Sequence, residues 1–103
     1  MRIYNLILDF FVTKKTFYIQ DQKSFHNILK DIESQKILGL DTEFIWRNTY
    51  YPKLSLIQIS TLNKIYIIDC IKINTSEIEK ILANENILKI FHSIRGDSSV
   101  IYN

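Results

Sequence analysis

A chain of 103 residues is enough for one small domain, and its 47% hydrophobic and 23% charged residues are ordinary for a folded, soluble one. Two Gly and one Pro exclude a linker or disordered tail, and a single cysteine, Cys70, excludes an internal disulfide and a Cys-rich metal site. The net charge of +2 is too mild to predict nucleic-acid binding by itself.

The first fifteen residues are read as an N-terminal extension to which no role is assigned, and 16–103 as the domain. The apolar stretch Ile3 to Val12 is interrupted by Asp9 and is too short to span a bilayer. Only Arg2 precedes it and no small-residue cleavage pattern follows, so the expectation is a cytoplasmic protein with no membrane partner. Thr16 to Gln20 is β-branched and aromatic and predicts a short strand. Asp21 is placed to cap a helix whose stripe is Phe25, Ile28, Leu29 and Ile32, running to about Gln35. Ile37 to Asp41 predicts a buried strand ending in an acid. Leu54 to Thr61 alternates as a strand should, and Lys64 to Asp69 follows after a link short enough for a hairpin, so these two are expected to pair antiparallel. Cys70 closes that apolar run and is read as a small core residue.

Ser76 with Glu79 fits a capping box ahead of the stripe Ile78, Ile81 and Leu82, and Asn84-Glu85-Asn86 ends this second helix. Ile87 to Phe91 predicts an inner strand, parallel to an earlier one because it follows a helical crossover. A helix is expected from Arg95 onward. The order predicts an α/β fold with a mixed sheet.

Asp41 and Glu43 carry the chemistry. Residues i and i+2 of an extended chain point to the same side, so two carboxylates project together. Unneutralised they repel, and a divalent cation with a preference for hard oxygens is their natural partner. Asp-x-Glu alone is common, and two solvated acids at a strand end are the plainer reading.

The context is more specific. Leu40-Asp41-Thr42-Glu43-Phe44 leads through Thr49-Tyr50-Tyr51-Pro52 to Leu54-Ser55-Leu56-Ile57-Gln58, and a second block, Lys89-Ile90-Phe91-His92, precedes Asp97 by five residues. Over roughly Phe17 to Asn103 this resembles the ribonuclease D family of 3′-5′ exonucleases. The resemblance implies a ribonuclease H-like mixed sheet flanked by helices, with the chain stopping before the last of them. It implies a four-carboxylate site of Asp-Glu-Asp-Asp type holding two divalent metal ions, magnesium with manganese as an alternative. In that site Asp41 would bridge both ions, Glu43 would bind one, and Asp97 would help hold the other. The implied substrate is the 3′ end of single-stranded RNA, with transfer-RNA precursors among the candidates. The family's third motif, a Tyr followed four residues later by Asp, has no counterpart: the chain ends six residues after Asp97, and Tyr102 has no Asp behind it. The domain is therefore read as partial, with the first and second motifs only.

Other candidates carry plainer alternatives. Tyr50 and Tyr51 either stack a terminal base or close the core beneath their loop. Trp46 and Arg47 lie where contacts to base and phosphate would be useful, but surface roles are commoner. His92 is read as an orienting group near the metals rather than a general base. Gln58 is read as structural, His26 as a surface residue, and Asp69 as a turn or capping residue. Three functions compete: an exonuclease domain, a catalytically inactive fragment that binds nucleic acid weakly, and a half that works with a separately encoded C-terminal half.

Overall fold

Strong β-forming segments separated by two short helices make one mixed sheet. The computed structural model describes residues 14–45, 53–92 and 99–102. In chain order these form β1 (Lys15–Ile19), α1 (Gln22–Glu33), β2 (Ile37–Ile45), β3 (Lys53–Ser60), β4 (Lys64–Asp69), α2 (Ile78–Ala83), β5 (Leu88–His92) and β6 (Ser99–Tyr102). The strand order is β1-β4-β3-β2-β5-β6. The hairpin expected between β3 and β4 is present, with Ile57 opposite Ile68 and Ile59 opposite Tyr66. β5 runs parallel to β2, as its helical crossover predicts, and β1 runs parallel to β4. This is the ribonuclease H-like α/β arrangement that the sequence motifs imply.

α1 forms where Asp21 and the apolar stripe place it. Asp21 has extended backbone and accepts hydrogen bonds from the Ser24 backbone N–H and hydroxyl, each at 2.8 Å. Its side chain thereby satisfies a donor that the first helical turn leaves without an internal partner. These bonds hold the Asp21 carboxyl below its usual range. Phe25, Leu29 and Ile32 are buried against the sheet, and Ile28 packs partly against the same core.

The second helix departs from expectation. Ser76 and Glu79 form no capping box: α2 starts at Ile78 after Glu77, which makes no side-chain cap bond. Ser76 contributes its carbonyl to the Glu79 N–H at 3.1 Å, while the Ser76 N–H is taken by the Asn74 side chain at 3.0 Å. The Asx turn at Asn74 has displaced the reciprocal cap, as local side-chain bonds can. Ile78 and Ile81 are buried, whereas Leu82 is exposed. The helix ends at Asn84, whose carbonyl accepts from the Nζ of the buried Lys89 at 2.7 Å. A cation at a helix C-terminus is favourable, which accounts for a lysine on the inner face of β5.

A second correction concerns the end of the chain. Residues 99–102, expected to be helical, form β6, antiparallel to β5 with Ile90 opposite Ile101. Val-Ile-Tyr is β-branched and aromatic, and the outer edge of β5 would otherwise present unpaired backbone groups. Cys70 also differs slightly: it is half-buried at the end of β4 and packs at the margin of the core.

Both helices lie on one face of the sheet. That face carries Leu38 and Leu40 of β2, Ile57 and Ile59 of β3, and Tyr66 and Ile68 of β4, all buried. Alternation then puts the intervening residues on the opposite face. There Ile37 and Ile90 are buried together with Leu88 beside them, and the face opens toward Asp41 and Glu43. No helix among the described residues is long and apolar enough to cross a membrane.

Candidate active site

The strand that carries the two acids runs further than its apolar run suggests. β2 continues from Ile37 to Ile45 because β3 pairs with it along its length, from Gly39 opposite Ser60 to Ile45 opposite Lys53. Asp41 is thus inside a strand rather than at its end. It is half-buried, and Glu43 is exposed. In a strand their Cα atoms are roughly 6.6 Å apart, and both side chains leave from the face opposite the helices.

Local bonds fix the backbone around them. The Thr42 N–H donates to Asp41 Oδ1 at 2.9 Å, which holds one carboxylate oxygen against the strand. Ser55 donates its hydroxyl to the Glu43 carbonyl at 3.0 Å, next to a register shift between Glu43 and Phe44. A bulge at this point bends the strand and re-aims the side chains beside it.

The neighbours follow from the register. Gln58 lies directly opposite Asp41, and Leu56 opposite Glu43. On the far side of β3, Ile67 is opposite Gln58 and Asp69 opposite Leu56. Directly opposed residues share a face, so Asp41, Glu43, Gln58, Leu56 and Ile67 form one surface. The Asp69 carboxylate is used locally, accepting from the N–H groups of Ile71 at 3.0 Å and Lys72 at 3.1 Å. That is the turn role expected of it. β5 ends at His92, one residue beyond the pair Leu40–Phe91, so the His92 backbone comes level with Asp41. His26 is at the surface, on α1, with Glu77 at 4.0 Å.

Of the acids expected at the site, the fold brings Asp41 and Glu43 together. Asp97, Tyr50, Tyr51, Trp46 and Arg47 lie outside the described residues. Among the described residues no group of three His, Cys, Asp or Glu side chains converges. The pair still fits part of a divalent-cation site: two hard carboxylates share a face, and Glu43 is open to solvent. The position of Gln58 was not legible as functional from sequence. There it is a polar residue at an alternating position between Leu56 and Ile59 that closes the Leu54–Gln58 block, and it is read as structural.

Comparisons with known proteins show the family. A family model described as 3′-5′ exonuclease matches residues 16–103. Ribonuclease D of Desulfotalea psychrophila is 45% identical over 62 residues, covering 58% of this chain and 17% of that protein. Ribonuclease D of Shewanella sp. strain ANA-3 is 34% identical over 84 residues, covering 81% and 22%. Among solved structures, RNase D of Escherichia coli, an exoribonuclease involved in structured RNA processing, superposes with a TM-score of 0.68 at 29% identity. That match covers 77% of this chain and 21% of the other. The chain thus spans about a fifth of the length of the relatives it matches. With a family model over residues 16–103, these relatives and the fold in agreement, the chain belongs to the 3′-5′ exonucleases of ribonuclease D type.

Proposed function

We propose that this chain supplies the first part of a two-metal site that removes nucleotides from RNA 3′ ends. The observation that carries the reading is the pair Asp41 and Glu43, side by side on the open face of β2. In the family site Asp41 would contact both ions and Glu43 one of them, with Asp97 as the next ligand. Bound there, divalent ions would activate water and stabilise the leaving oxygen of a phosphodiester. The chain's own task is positional. β2 is held on both sides by backbone pairing, and Thr42 restrains one Asp41 oxygen, so the carboxylates need little reorganisation when substrate arrives. The choice of RNA rests on the relatives, which are ribonucleases by name.

A second feature qualifies activity. A Tyr-x-x-x-Asp motif is not among these 103 residues, which carry the first and second motifs. The site these residues supply is partial, and a segment carrying that motif would complete it. Magnesium or manganese and a 5′-labelled single-stranded RNA make the test. The isolated chain should trim poorly or not at all, because loss of one organising group commonly costs on the order of a hundredfold. Adding a segment with the third motif should restore trimming, and Asp41→Asn should abolish it again. Robust trimming by the chain alone would overturn the partial-site reading, and trimming that survives Asp41→Asn would overturn the metal reading.

A further inference from the structure

Resting on that metal reading, we infer that Gln58 is a positioning residue for Asp41: its side-chain amide donates to the Asp41 carboxylate when a divalent cation is bound. Gln58 is half-buried in the middle of β3, where its neighbours Ile57 and Ile59 are buried core residues on the other face. Its side chain shares a face with Asp41, its direct cross-strand partner, and the diagonal positions on β2 are Gly39 and Glu43. Directly opposed Cβ atoms lie about 4.5–5.5 Å apart, within reach of a glutamine amide.

Toward the other neighbouring strand the nearest side-chain acceptor is one position further off in register. Ile67 is opposite it, and the diagonal positions are Ile65 and Asp69. Asp69 Oδ1 accepts two backbone N–H groups, which hold that carboxylate to the turn after β4. Among the described residues the side-chain carboxylates on this face are those of Asp41, Glu43 and Asp69, and Asp41 is the one directly opposite Gln58.

Asp41 has need of such a donor. A carboxylate offers about four lone-pair sites. The Thr42 N–H takes one on Oδ1. If Asp41 holds a cation, the turn of its whole carboxylate about the Cβ–Cγ bond is restrained by the donors its oxygens accept, and a second donor beside the Thr42 N–H would restrain it further. Carboxylates that ligate metals are generally held by a further hydrogen bond of this kind, and its loss typically costs 10–100-fold in metal affinity. An amide suits the position better than a lysine or arginine, because it fixes the carboxylate without competing for its charge.

The experiment is manganese binding by electron paramagnetic resonance on the full 103-residue chain, with thermal unfolding of each variant alongside. Gln58→Leu keeps the size of the side chain and removes the donor; affinity for Mn2+ should fall by roughly tenfold or more while the thermal midpoint of the metal-free protein holds. Gln58→Glu, a second variant of the same shape, should lower the metal-free midpoint through repulsion with Asp41, and Mn2+ should restore it. Unchanged Mn2+ affinity in Gln58→Leu, with binding still lost in Asp41→Asn, would overturn the role of Gln58 and leave the metal reading intact. A Gln58→Glu variant whose midpoint ignores Mn2+ would also overturn it. Absence of Mn2+ binding by the wild-type chain would overturn both.

Discussion

Tyr66→Phe should destabilise the protein through one hydrogen bond and nothing else. Tyr66 lies on β4, buried among the core residues, and its hydroxyl donates to Asp31 Oδ2 on α1. The substitution keeps the ring and opens no cavity. A hydrogen bond to a charged group contributes about 1.5–3 kcal/mol net. Here the lower end applies, because the Asp31 side chain is 33% exposed, keeps Lys64 at 4.0 Å, and its other oxygen still accepts from Gln35 at 3.0 Å. About 1–2 kcal/mol remains, which in a domain of this size moves Tm by roughly 5–10 °C. Circular dichroism melts at pH 7 measure this, and a double-mutant cycle with Asp31→Asn isolates the pair. Alkaline titration gives an independent check. Burial, and then the bond to Asp31, push the Tyr66 hydroxyl well above its ordinary value of 10.0. The neutral form is favoured in the folded state, so this contribution is complete below pH 10 and is lost as pH rises above it. The gap between wild type and Tyr66→Phe should therefore narrow above pH 10. A fall in Tm below about 2 °C at pH 7, or a gap that widens in alkali, would refute the assignment.

Three further outcomes are expected. Asp21→Ala should lower the thermal midpoint by removing the cap of α1. Because its hydrogen bonds lower the Asp21 pKa, the stabilisation is present above the ordinary value of 3.8 and lost as pH falls below it, so the midpoints should converge in acid. Burial pushes the Cys70 thiol above its usual 9.0, so at pH 7.5 it should react with a disulfide reagent more slowly than free cysteine, and at the ordinary rate in urea. Among the described residues the sheet ends on two edge strands, β1 and β6, and Tyr18 on β1 is 70% exposed, so the chain alone should self-associate as concentration rises. Sedimentation showing a monodisperse monomer at all concentrations would contradict this.

Much of the architecture was local and therefore readable in the chain. The capped stripe of Phe25, Leu29 and Ile32, the short link at Leu62-Asn63 and the crossover before β5 each depend on neighbours in sequence. The pair Asp41 and Glu43 could be placed on one side of a strand by period alone. Other features depended on partners far away. Ser76 lost its expected cap because Asn74 competed for its N–H, a contest between local bonds of similar strength. Residues 99–102 became a strand rather than a helix because β5 offered an open edge, and four residues hold too little intrinsic preference to decide such a choice. Asp41 proved to lie within β2 rather than at its end because β3 continues to pair beyond it. The bond from Tyr66 to Asp31 crosses 35 residues, and Gln58 comes opposite Asp41 only through the β2–β3 register. Periodicity tells which residues share a face of one element; which residues meet across elements is set by pairing and packing, and those belong to the tertiary structure.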